Sequence, residues 1–347
     1  MQQSGTLSGL IAAAQFKQRW FDLGRRVQSV PRSAVEAFEA GQAPWPHPYL
    51  RHAWTGLVLL PPESGEPVIW FLRLPLDEQG KLQLPVRDAF LHLLIEKLGQ
   101  GEQEDLGAQL HSALEESGIA FSPAPERQAS FHAKVAQLLK RPASEYYEGV
   151  LAYCRAPQSH RWDQLGVQGI ADLAAHWESQ RDLLLGKLGE LAPPVFVGLC
   201  QSLENEAIDH RLAQRIVECA DSALRADPVD FAIVAAAVRG VSHSPADGLR
   251  RSFLLELLQG PAAQNGEVVA AIGSRCAQDL AHDDLAASWL AALATHQSQE
   301  RFNLLLSDLM FLAPVRSALL AALRDPKRPE ALASAFGTFL HGPAPTH

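Results

Sequence analysis

The sequence predicts an α+β N-terminal domain, a small antiparallel sheet with helices, followed by an all-α domain of HEAT/armadillo-like helical repeats. Three observations carry this expectation. Period-two alternation and branched or aromatic runs are confined to the first part of the chain, before about residue 85. From residue 143 onward, Ala- and Leu-rich segments alternate with short Pro, Gly or Asp breaks. The starts of these segments recur at a near-constant interval. The expected domains are 1–100 (small α+β), 101–142 (helical connector) and 143–347 (helical repeats).

Along the first domain, Leu7–Ala14 reads as a short helix. Between Trp20 and Ser29 the chain alternates: Phe21, Leu23, Arg25 and Val27 point one way, Trp20, Asp22, Gly24 and Arg26 the other, which predicts a strand. Pro31 with Ser33 opens a helix that Gly41 closes, the usual early-Pro, late-Gly asymmetry. A stiff loop follows, Pro44-Trp45-Pro46-His47-Pro48. Ala53–Leu60 and Val68–Leu76 are apolar runs separated by the turn residues of 61–67. A second turn, Asp77–Gly80, leads to Lys81–Leu84, so an antiparallel meander is expected. Pro85–Leu98 is helical, with Phe90, Leu91, Leu94, Ile95 and Leu98 on one apolar face.

The connector holds two segments of helical spacing, Glu104–Ser117 and Arg127–Leu139. Beyond it, first helices begin near Pro194, Pro228, Asn265 and Gln299, at intervals of 34, 37 and 34 residues. Companion helices begin near Asp209, Asp247 and Asp283, at intervals of 38 and 36. A fixed period of this size with two helices per unit is the mark of an α-solenoid, in which neighbours share the core that one pair cannot close alone. The Trp, Leu-Gly and Tyr offsets of tetratricopeptide repeats are missing, which favours HEAT- or armadillo-like packing.

Composition narrows the function classes. The 347 residues are 47% hydrophobic and 20% charged, which excludes disorder as the main state. A net charge of −9 argues against a dedicated binder of double-stranded nucleic acid. That charge is uneven: residues 1–60 hold six Lys or Arg against three Asp or Glu, a head of +3 that leaves −12 for the remainder. Cys154, Cys200, Cys219 and Cys276 contain no C-x-x-C pair, and buried reduced thiols are expected. The apolar run Leu7–Ala14 is followed, not preceded, by Lys17 and Arg19, the wrong polarity for a secretory signal, and no apolar stretch reaches membrane-spanning length. A cytoplasmic protein with no membrane partner is expected.

Several clusters invite chemistry. Asp279, His282 and Asp283, with Asp284, are the most metal-like group, with i,i+3 spacing between Asp279 and His282. Asp283 also falls where Asp209 and Asp247 fall, at a companion-helix start, which points to an N-cap instead. Trp45, His47, Tyr49, His52 and Trp54 crowd around Arg51, and Arg25 and Arg26 are candidates to join them as a partner-binding surface. The competing reading is a small core that fastens the loop to the sheet. Gly166-Val167-Gln168-Gly169 reads as a helix break, because the strands of a KH module are missing. Ser242-His243-Ser244 lacks an oriented triad, and the pairs Glu145/Glu148 and Glu204/Glu206 read as solvated helix faces. No P-loop, nucleophile elbow or zincin motif is present.

The stretch Trp20-Phe21-Asp22-Leu23-Gly24-Arg25-Arg26-Val27, then Phe38-Glu39, Gly41, Pro44-Trp45-Pro46-His47-Pro48 and Ala53-Trp54, resembles the opening of an uncharacterised proteobacterial family. The resemblance covers mainly residues 20–60. It implies a cytosolic bacterial protein and carries over no catalytic residue.

The function expected from the residues is a non-catalytic scaffold or adaptor that holds a protein partner through its helical repeats and the aromatic loop. The alternative is an RNA- or nucleotide-associated factor that uses the basic head. Neither an enzyme activity nor a cofactor is implied.

Overall fold

In the computed structural model, described over residues 5–62, 65–100 and 114–342, the chain divides into two compact units, Met1–Ala124 and Pro125–His347. The first carries a four-stranded sheet; the second is helical. The expected α+β start and all-helical remainder are both present.

The first unit opens with α1 (Leu7–Ala13), capped by Thr6, whose hydroxyl accepts from the Gly9 N–H at 3.1 Å. The sheet follows, in the order β2-β1-β3-β4 and antiparallel throughout. Its strands are β1 (Lys17–Asp22), β2 (Gln28–Val30), β3 (His52–Leu60) and β4 (Val68–Pro75). Strand β3 lies between β1 and β4, and its apolar run is accordingly buried almost throughout. Helix α2 (Arg32–Glu39) leaves β2 at Pro31, and α3 (Leu84–Gln100) follows β4. Trp20, Val35, Phe38, Trp45, Leu57, Leu72 and Leu94 meet in the core.

Two expectations in this unit need correction. The alternating run Trp20–Ser29 is not one strand: β1 ends at Asp22 and β2 begins at Gln28. The reversal forms because the Asp22 carboxylate accepts from the backbone N–H groups of Arg25 and Arg26, at 3.1 and 3.3 Å. Such local side-chain acceptors compete with a strand ladder. Lys81–Leu84 is likewise no strand; Leu82 makes a single bridge with Leu76, and α3 starts at Leu84. Glu63 and Ser64 of the expected turn, residues 104–113 of the expected connector helix and the Leu98 side chain lie outside the described residues.

The second unit contains α4 (Pro125–Leu138), α5 (Tyr147–Arg155), α6 (Val167–Ala175), α7 (Arg181–Lys187) and α8 (Pro193–Leu203). It continues through α9 (His210–Leu224), α10 (Phe231–Val241), α11 (Asp247–Gln259) and α12 (Gly266–Arg275). The last helices are α13 (Asp283–His296), α14 (Gln299–Leu309), α15 (Ala313–Arg324) and α16 (Glu330–His341). Their starts carry expected signals: Asp209, Asp230, Asn265 and Ser298 each accept from backbone N–H groups of the following first turn. The packing follows a rule. Helices α4, α6, α8, α10, α12, α14 and α16 contact one another in succession, and so do α5, α7, α9, α11, α13 and α15. A single apolar core, from Val150 to Ala335, fills the space between these two series.

Among the described residues no helix is long and apolar enough to cross a membrane.

Candidate functional site

In the first unit, Trp45, His47, Arg25 and Arg26 gather at Asp22, at the end of β1, whereas Tyr49 and Trp54 lie against Gly24 and Arg51 reaches Glu78 at 3.7 Å. Asp22 is fully buried, and the Trp45 indole N–H donates to its Oδ1 at 3.2 Å. Burial pushes the Asp22 carboxyl above its ordinary 3.8, against the opposing pull of His47 and the Trp45 hydrogen bond. His47 is shifted down from 6.5, first by burial, with Asp22 opposing. Arg25, 9% exposed, donates from Nε to the Pro48 carbonyl at 2.9 Å and lies 5.5 Å from the Tyr49 ring centre. The Trp54 indole donates to the Tyr49 carbonyl at 2.9 Å, and its ring meets Phe121 edge-on at 4.9 Å.

Trp45 is 1% exposed and stacks edge-on with Phe38 at 5.0 Å, so its indole is part of the core. Tyr49, Arg51, His52 and Trp54 are half-buried, as are His47 and Arg26. Tyr49 and His52 exchange backbone hydrogen bonds of 3.1 and 3.0 Å across a two-residue turn. Leu50 and Arg51 occupy that turn at φ +49° and +61°, the left-handed region that L-residues with a Cβ pay to enter. Gly24 makes the closure feasible, since a Cβ there would lie 2.9 Å from Tyr49 Cβ and 3.2 Å from Trp54 Cδ1. The arrangement fastens the loop to the sheet.

The second unit contains the densest charge cluster described, and its centre is Glu204, which follows α8. Glu204 is 2% exposed, so its reading as a solvated face is wrong. Three guanidinium groups from three helices converge on it. Arg239 of α10 binds side-on, Nε to Oε2 at 2.6 Å and Nη2 to Oε1 at 3.1 Å. Arg127 of α4 reaches Oε1 at 3.2 Å, and Arg275 of α12 reaches Oε2 at 3.3 Å. Burial would raise the Glu204 pKa, but Arg275, Arg239 and Arg127 outweigh it and hold the carboxyl below the usual 4.5. Glu206 is also no solvated residue: Lys134 of α4 contacts it at 2.8 Å, and burial raises its pKa despite that partner.

Beside this cluster a cavity of about 370 Å³ opens along α8, α10 and α12. Ala235, Ala236 and Ala271 line it together with the polar side chains of Gln201, Arg239, Glu267, Ser274 and Arg275. Small residues on successive helices leave the groove; the Glu204 anchor fixes the two arginines at its side.

The other sequence candidates separate. Asp279 is buried and paired with Arg250, Oδ1 to Nη2 at 2.9 Å, whereas His282 and Asp283 are exposed. No group of three or more His, Cys, Asp or Glu suited to a metal occurs among the described residues. The expected cap at Asp283 is displaced: His282 holds the N-cap position of α13 without a side-chain cap bond. Asp247 likewise is the first residue of α11, and of the three aspartates Asp209 alone caps, donating no proton but accepting from the Leu212 N–H at 2.9 Å. Gly166 and Gly169 frame the start of α6, where a Cβ on Gly169 would lie 2.6 Å from the Tyr146 carbonyl oxygen. Ser242 donates to the Arg239 carbonyl at 2.6 Å, a local helix-end contact.

The family model described as "Protein of unknown function (DUF3549)" matches residues 2–340. The chain belongs to this family. The likeness seen over residues 20–60 thus extends across both units. No curated protein matches the chain, and no solved structure matches it.

Proposed function

We propose that this member of the family is a non-catalytic interaction scaffold whose second unit is a HEAT/armadillo-like stack that holds a protein partner. The observation that carries this reading is the succession of contacts α4-α6-α8-α10-α12-α14-α16 on one side of a shared core. Stacked helices of this kind present one long surface built from corresponding positions. On it lies the groove lined by Ala235, Ala236 and Ala271, with Arg239, Arg275 and Glu267 as its charged lining residues. Arginine fixed in place before binding loses little freedom on contact, which favours its use at interfaces.

The alternative, an RNA- or nucleotide-associated factor working from the basic head, draws less support. Its aromatic anchor Trp45 is buried, and Arg25 is occupied by Pro48 and Tyr49. We infer a cytoplasmic site of action. Cys154, Cys200, Cys219 and Cys276 are free thiols, in keeping with a reducing compartment.

Site-specific photo-crosslinking tests the scaffold reading. A photoreactive residue at Ala232 or Ala270, both lining the groove, is expected to capture one defined protein. The same group at Ser222 on α9 should not capture it. Equal background at all three positions, with the chain folded, sinks the reading.

A further inference from the structure

The first unit carries a second surface, independent of the helical groove. Strand β1 pairs with β3 along its full length, Lys17 to Asp22, but with β2 over Trp20 to Asp22 alone. Strand β2 stops there because the chain turns into α2 at Arg32. Lys17–Arg19 therefore have a strand on one side only.

The ladder decides which backbone groups face the open side. The Leu23 N–H donates to the Trp54 carbonyl at 2.7 Å, so Leu23 exchanges bonds with the β3 side. Antiparallel alternation then turns Lys17, Arg19 and Phe21 to β3, and Gln18, Trp20 and Asp22 the other way. Trp20 and Asp22 meet Val30 and Gln28 of β2; Gln18 has no strand residue opposite on that side. Its carbonyl accepts instead from its neighbour Arg19, Nη1 at 2.9 Å.

A cleft of about 380 Å³ lies at this edge. Lys17, Gln18, Arg19, Trp20, Pro31 and Arg32 are among its lining residues, and no Asp or Glu lines it. Lys17, Arg19 and Arg32 are all exposed. Arg32 has one partner outside the cleft, Glu36 at 2.7 Å, with side chains 75% and 50% exposed, a pair that solvent weakens. An open strand edge and three cations at one cleft together select an extended, negatively charged polypeptide.

We propose that this cleft binds an extended acidic segment of a protein partner, which pairs with β1 at Gln18 and sets its carboxylates against Lys17, Arg19 and Arg32. Edge pairing supplies backbone hydrogen bonds, and alternate side chains supply selectivity. An RNA strand is disfavoured because Trp20 is buried, with its indole N–H tied to Gln18 Oε1 at 2.8 Å, and offers no open face to a base. The scaffold reading of the second unit neither requires this site nor falls with it.

The test uses the full chain and a fluorescein-labelled decapeptide of alternating Glu and Val, followed by fluorescence polarisation. Binding is expected to weaken about tenfold when Lys17→Glu, Arg19→Glu and Arg32→Glu are combined, and to weaken at higher salt. Because all three residues are exposed, the melting temperature should hold. A decapeptide N-methylated at alternate residues keeps every charge but cannot form the ladder, and it should lose binding. The proposal is overturned if the charge-reversed protein or the methylated peptide binds as well as its parent, or if the decapeptide fails to bind. Tighter binding of a ten-nucleotide oligouridylate, or of a second copy of the chain in sedimentation, also overturns it.

Discussion

Arg239 meets Glu204 side-on, with both guanidinium-to-carboxylate contacts made across helices whose residues stand 35 positions apart. The contact corrects a local electrostatic problem. Glu204 lies at the C-cap of α8, where the helix dipole repels a carboxylate, and a buried charge there needs strong compensation. Arg239 and Arg275 supply it from the last turns of α10 and α12, the positions where a cation suits the dipole. One buried carboxylate thereby ties α4, α8, α10 and α12 together.

Replacing the buried Glu204 with Ala is expected to cost about 3–5 kcal/mol, because it leaves three half-buried guanidinium groups converging without that carboxylate. Urea denaturation measures the loss. A change below about 1 kcal/mol would refute the anchoring role.

The carboxylates also set opposite pH slopes. Glu204, held below 4.5 in the fold, contributes stability that is present above 4.5 and lost as pH falls through its lower folded value. Asp22 is raised above 3.8, so its contribution is full below 3.8 and lost as pH rises through its higher folded value. Asp22→Asn is therefore expected to flatten the decline above 3.8, and Glu204→Gln to remove the acid-side loss below 4.5, in thermal melts across pH.

Trp45→Ala should destabilise the protein by about 3–5 kcal/mol, the range for an aromatic removed from a packed core. Trp45→Phe should cost less, retaining the contact with Phe38 but losing the hydrogen bond to Asp22. If Trp45→Ala left stability intact while abolishing partner capture, the residue would be a surface anchor instead.

The turn at Leu50 and Arg51 makes the opposite kind of prediction. Both residues hold positive φ, and Asn-Gly is the pair that such a two-residue turn prefers. Leu50→Asn with Arg51→Gly should raise stability by about 1 kcal/mol, since the exposed contact of Arg51 with Glu78, at 3.7 Å, adds little. Lower stability in calorimetry would show that the loop draws more from these side chains than their contacts indicate.

The division into a mixed start and a helical remainder was legible because strand and helix periods differ and because prolines and capping residues mark helix starts. Pro193 and Pro194 open α8, and Asp209 caps α9. The Trp20–Ser29 reversal was hidden since alternation continues through Leu23, Arg25 and Val27 while the Asp22 carboxylate turns the chain. The Glu204 cluster could not be seen from any local pattern. Arg127 lies 77 residues from Glu204 and Arg239 lies 35, and a Glu at a helix end looks solvated until its neighbours in space are known.

The two interleaved helix series have a mechanical consequence. On the stacked reading proposed above, contacts that run in succession along each series would spread stiffness along the second unit, as in a spring whose turns grip their neighbours. Pulling on its ends would unspool it stepwise, and the Glu204 tether would make the turns from α8 to α12 the last to yield. The last described helix, α16, where Leu340 is 60% exposed, would let go early.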